Sequence, residues 1–104
     1  MSQSKLNRNV TIINPEGLHA RPADLVVRMA NQYESTIQIA KGGEAVDCKS
    51  ILSLLTLGAA QGTELTLSAE GVDAQEAIDA LGQLFDSGFD DSSQVPDTES
   101  AVDS

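Results

Sequence analysis

The chain has 104 residues, enough for one domain with a modest core and too few for two. Apolar residues make up 40% and aromatics only 3%, so the core must be aliphatic, and the one cysteine and one histidine exclude an internal disulfide and a metal site. A net charge of −10 repels nucleic-acid phosphates and anionic membrane surfaces alike, so neither is an expected partner.

No apolar run reaches the roughly 18 residues of a membrane span, and Met1-Ser2-Gln3-Ser4-Lys5 carries no signal-peptide core. The expectation is a soluble, cytoplasmic monomer. The charge is unevenly spread. Residues 88–104 hold five acids (Asp90, Asp91, Asp97, Glu99, Asp103) and no base, which leaves residues 1–87 with 6 bases and 11 acids.

Residues 6–13 place apolar side chains at Leu6, Val10, Ile12 and Ile13, interrupted by Arg8, Asn9 and Thr11. They predict a β-strand, ended by the turn formers Asn14-Pro15-Glu16-Gly17. A helix is predicted from residue 20 to about 33, because Leu25, Val26, Met29, Ala30 and Tyr33 recur at helical spacing. Pro22 is tolerated only in a first turn, so it sets the helix N-terminus at or just after His19.

Residues 36–40 alternate cleanly, Gly42-Gly43 follows, and a second short run covers 44–48: a β-hairpin. Ser50 is a good N-cap for a short apolar helix over 51–57, closed by Gly58. Residues 64–69 place an apolar side chain at every second position and predict a strand. Asp73-Ala74-Gln75-Glu76 has the form of a capping box, with Asp73 as N-cap. The helix behind it gathers Ala77, Ile78, Leu81, Leu84 and Phe85 on one side.

The order is β-α-β-β-α-β-α, an α+β chain. Each strand has one apolar face and each helix one apolar stripe, so the economical solution is two layers: an antiparallel sheet with three helices on one face. Residues 1–87 are expected to form the domain and 88–104 an acidic, disordered tail.

Candidate chemistry centres on His19. Histidine titrates near neutral pH, and its neutral imidazole is a nucleophile. At a helix N-terminus the unsatisfied amides and the positive dipole end welcome an incoming anion. Arg21 would add a guanidinium for phosphoryl oxygens, and Gly17 would let the loop bend so that the ring faces outward. The plainer reading is a surface or capping histidine, and residue type alone leaves it open. Nothing fixes a carboxylate or second histidine beside His19, so hydrolase chemistry has no support. Cys48 is expected to be a small buried hydrophobe.

The segment Gly17-Leu18-His19-Ala20-Arg21-Pro22-Ala23 resembles the active-site signature of HPr, the histidine-containing phosphocarriers of the bacterial phosphoenolpyruvate-dependent phosphotransferase system. Lys49-Ser50-Ile51-Leu52-Ser53-Leu54-Leu55-Thr56-Leu57-Gly58 resembles the family's regulatory-serine helix, and Gly62-Thr63-Glu64-Leu65 the strand after it. The resemblance spans about residues 5–86. It implies an open-faced β-sandwich with sheet order 1-4-2-3. It also implies that His19 carries a phosphoryl group on Nδ1, received from Enzyme I and passed to an EIIA domain, with Arg21 stabilising it. Such a carrier is a stoichiometric relay and not an enzyme, and it needs no cofactor beyond the covalent phosphoryl group.

By the same resemblance Ser50 is the target of an HPr kinase/phosphatase, besides being an N-cap. The helix over 51–57 is apolar almost all round, so some of Ile51, Leu52 and Leu55 should face solvent and dock partners. Arg28 and Lys49, with Arg21, are the bases placed to join that face. Asp24 departs from the family, which more often has a small neutral residue there, and leaves both a sugar-uptake and a regulatory or nitrogen branch open. Two other function classes compete: an HPr-like regulator acting by binding through Ser50, and a ferredoxin-like ligand-binding domain. Retention of His19 and of His-x-Arg-Pro favours the carrier over both.

Overall fold

The computed structural model describes residues 5–89; the expected disordered tail from residue 90 onward lies outside the described residues. In chain order the elements are β1 (Lys5–Thr11), α1 (Ala20–Ala30), β2 (Thr36–Lys41), β3 (Glu44–Asp47), α2 (Ile51–Thr56), β4 (Glu64–Glu70) and α3 (Ala74–Asp86). The strands form one antiparallel sheet in the order β1-β4-β2-β3. Element order, sheet order and layering are those expected. α3 covers β1 and β4, while α1 packs beside α3 and α2, and α2 reaches β3.

Side-chain alternation gives the sheet two unlike faces. Leu6, Val10, Ile37, Ile39, Leu65 and Leu67 point at the helices, and four of them (Ile37, Ile39, Leu65, Leu67) are almost completely buried. Each fully buried aliphatic side chain of this size contributes about 1.5–3 kcal/mol. The opposite face is polar. One row across all four strands reads Asn7, Ser68, Gln38, Asp47, and in the next Thr66 donates to Asn9 at 3.1 Å.

Arg8, which looks in sequence like an interruption, lies on the helix-facing side between Leu6 and Val10. Its guanidinium rests on the bare backbone of Gly82, where any Cβ would collide with it, and forms an ion pair with Asp86. The glycine in α3 therefore makes room for a charged group at the edge of the core.

Three details differ from expectation. α1 stops at Ala30, short of Tyr33, because the Asn31 side chain donates to the Val27 carbonyl at 2.8 Å and the chain leaves through tighter turns. Asp73 does begin α3, but its carboxylate makes no capping bond to that helix. It accepts instead from the amides of Glu34 (2.8 Å) and Ser35 (2.9 Å) and from the Ser35 hydroxyl. Ser35 is buried just ahead of β2 and close against Gly71, and this carboxylate satisfies its buried donors. Gly71 permits this approach, since a Cβ would sit 2.7 Å from the Ser35 Cα. Lastly, packed structure continues past residue 87. Phe89 is buried edge-on to Phe85, with ring centroids 4.9 Å apart and planes at 68°.

The three donors from Ser35 and Glu34 favour the ionised Asp73 carboxyl, the Ser35 hydroxyl most, and hold it below its ordinary range. Because the folded value is the lower one, this stabilisation is complete above about pH 4. It is lost as pH falls through the folded-state value. Unfolding followed against pH should show a loss of stability below about pH 4 that is smaller in Asp73→Ala, a variant already less stable at pH 7. Parallel acid profiles for the two proteins would refute the assignment.

Candidate functional site

The segment joining β1 to α1 is held near both its ends by the loop between α2 and β4. Ile12 exchanges bonds with Thr63 (3.0 Å) and Gly62 (2.7 Å), and the Gln61 side chain donates to the Ile13 carbonyl at 3.0 Å. The Leu18 amide donates to the Ala59 carbonyl at 2.8 Å, with the Leu18 side chain buried beneath. Gly17 has φ +77°, and a Cβ there would lie 2.6 Å from the Ala59 oxygen. Only glycine satisfies both conditions. A second set of bonds closes the turn on itself: the Gly17 amide donates to the Asn14 carbonyl (3.1 Å), and Asn14 Nδ2 donates to the Gly17 carbonyl (2.7 Å).

With Leu18 drawn inward, His19 emerges on the surface as the N-cap of α1. Its backbone is extended (φ −94°, ψ −165°), its amide donates to Gly17 at 3.0 Å, and its carbonyl receives the Ala23 amide at 2.9 Å. The imidazole makes no capping bond, so it is not used to close the helix. Pro22 occupies the first turn and is buried, as its fixed φ and missing N–H require. Arg21 is exposed in the same turn. The result is an imidazole at the positive end of a helix of 11 residues, with a guanidinium two residues away.

The family described as the PTS HPr component phosphorylation site matches residues 6–87. The chain belongs to the HPr family. A phosphocarrier protein HPr of Cupriavidus necator is 40% identical over 84 residues, covering 81% of this chain and 94% of its own. A phosphocarrier protein NPr of Shewanella violacea is 40% identical over 90 residues, covering 86% and 99%. Among solved structures, an HPr of Thermoanaerobacter tengcongensis superposes with a TM-score of 0.78 at 44% identity, covering 81% of this chain and 94% of that one. The chain is therefore a phosphocarrier of the phosphotransferase system, with the open-faced sandwich those structures share.

The remaining predicted site residues are dispersed within this HPr domain. Ser50 caps α2, its hydroxyl accepting the Ser53 amide at 3.3 Å. α2 presents Leu52 (74% exposed) and Leu55 (38%) to solvent while Leu54 and Leu57 are buried and Ile51 is half-buried against the core. Arg28 and Lys49 do not converge on His19. Arg28 donates to Asp24 at 2.7 Å, and nine residues of helix at about 1.5 Å each put it about 13 Å along the axis from His19. Asp24, the departure from the family pattern, thus engages one of the few bases on α1. Lys49 reaches the Tyr33 carbonyl at 2.8 Å, beyond the far end of the same helix. Among the described residues no cluster of metal-ligating side chains occurs, and no helix is long and apolar enough to cross a membrane.

Two contributors escaped sequence reading. Asn14 registers there only as a turn former, and residues 59–62 only as a connection. An Asn three residues before a glycine was the available signal for the first; the second has none, because its partner lies more than 40 positions away.

Cys48 is fully buried at the end of β3, and burial first, then the charge of Asp47, pushes its thiol up to about 12. A neutral, inaccessible thiol is inert. Ellman's reagent at pH 8 should find no reactive thiol in the folded protein and one after denaturation; rapid native labelling would contradict this burial.

Proposed function

We propose that His19 is the residue that carries the phosphoryl group, accepting it on Nδ1 from phosphorylated Enzyme I and passing it to an EIIA domain in the cytoplasm. The observation that carries this reading is the position of the imidazole: exposed, uncommitted to capping and at the mouth of α1, within the span 6–87 that matches the HPr family. The lone pair on Nδ1 forms the new N–P bond while the donor's bond to phosphorus breaks and its electron pair leaves with the donor. Negative charge on the three peripheral oxygens meets the amide end of α1 and the Arg21 guanidinium. The N–P bond keeps a high transfer potential, so the protein acts stoichiometrically and turns nothing over by itself. Because relatives named HPr and NPr match at the same identity, the reading stops at the carrier step common to both.

Leu52 and Leu55 supply an apolar docking patch for these partners, beside the loop that anchors Gly17 and Leu18. Ser50 immediately precedes that patch. Phosphorylation there by an HPr kinase/phosphatase would add about −2 of charge next to the apolar surface and oppose docking without unfolding the domain.

With phosphoenolpyruvate and purified Enzyme I, wild type should gain one acid-labile, alkali-stable phosphate and His19→Ala none. An unlabelled wild type, with Enzyme I active on another carrier, would overturn the reading. For Ser50, the aspartate mimic Ser50→Asp should lower the rate of labelling by Enzyme I at least tenfold while leaving the unfolding midpoint close to that of wild type. An unchanged rate would remove the regulatory role.

A further inference from the structure

The Gly17 carbonyl accepts two hydrogen bonds at once. Asn14 Nδ2 approaches at 2.7 Å and the His19 amide at 3.0 Å. On its other side the Gly17–Leu18 peptide is fixed to Ala59. The orientation of the peptide that leads into His19 is therefore set by Ala59 from below and by the Asn14 side chain from within the turn.

Asn14 makes this bond at an evident cost. Its Nδ2 must be the atom that faces Gly17, since only the nitrogen can donate to a carbonyl. That choice leaves Oδ1 buried and without a hydrogen-bond partner among the described residues. An unpaired buried amide oxygen destabilises a fold, and replacing it by an apolar group removes that penalty together with the bond. Net stability thus gives little reason for an asparagine here, whereas the placement of His19 gives a direct one.

We propose that Asn14 is a positioning residue for phosphoryl transfer, acting through the Gly17 carbonyl to hold the His19 backbone, and so its imidazole, in line with the donor phosphorus. In-line phosphoryl transfer tolerates little misplacement, and an error near 1 Å costs on the order of a hundredfold in rate. Asn14 lies inside the turn rather than on the exposed face of α2, so it acts on the transfer step and not on docking. The inference rests on His19 being the phosphoryl acceptor.

Labelling by phosphorylated Enzyme I should be followed at several carrier concentrations for wild type, Asn14→Ala and Asn14→Asp, with urea unfolding and hydrogen exchange of the His19 amide measured in parallel. Asn14→Ala should keep an unfolding midpoint near that of wild type, exchange its His19 amide faster, and lose about tenfold in kcat with KM within twofold. Asn14→Asp, which sets a carboxylate oxygen against the Gly17 carbonyl, should lose more. A kcat within twofold of wild type in both variants overturns the proposal. So does a raised KM with unchanged kcat, which would place Asn14 in docking. Failure of Asn14→Ala to fold would make the residue structural and overturn it as well. An unlabelled wild type would instead sink the His19 reading on which the inference depends, a result distinct from all of these.

Discussion

The meeting of the Gly17-Leu18 turn with the Ala59 carbonyl is the constraint on which the site depends. One oxygen receives the Leu18 amide and leaves no space for a side chain at residue 17. Leu18 is thereby committed to the interior, and the next residue must point the other way. The exposure of His19 follows from that choice as much as from any property of histidine. The same contact joins the two functional stretches of the chain, because Ala59 follows directly on the turn that closes α2. The exposed leucines of α2 and the imidazole of α1 are presented by one shared foundation.

Charge is handled in this domain by local pairing more than by a broad field. Of the bases near α1, Arg28 is engaged by Asp24 and Lys49 by a backbone carbonyl past the helix end. An exposed pair such as Asp24–Arg28 contributes at most about 1 kcal/mol to stability, so its consequence is for recognition. It removes a free positive charge from a surface that already sits in an acidic protein. On β1, Arg8 is treated differently. Its guanidinium lies on Gly82 and pairs with Asp86, which allows a cation to occupy a core-facing strand position.

Much of the fold was legible in the sequence because its elements are amphipathic at their own periods. The alternation in residues 36–40 and 64–69 and the helical spacing from Leu25 to Ala30 each name an element and its buried side. Helix ends were less legible. Asp73 has the sequence form of a cap, but two backbone amides and a hydroxyl from a segment 38–39 positions away compete for its carboxylate and win. Phe89 lies among residues whose composition suggests a solvated tail, yet one aromatic ring in reach of Phe85 is enough to extend the packed region.

The sequence alone determined the order of the elements, the aliphatic core, the helix start just after His19 and the candidacy of His19 with Arg21. These depend on short-range physics: side-chain periodicity, the missing N–H of proline, the chemistry of imidazole. It also carried a family signature specific enough to imply the sheet order. Only the tertiary structure decided which bases stand near the histidine, which leucines of α2 remain outside, and what holds the active loop in place. Those outcomes turn on contacts between residues dozens of positions apart, such as Leu18 with Ala59, Lys49 with Tyr33 and Asp73 with Ser35. No local pattern encodes such a contact. It exists only once the sheet and helices have brought the two segments together.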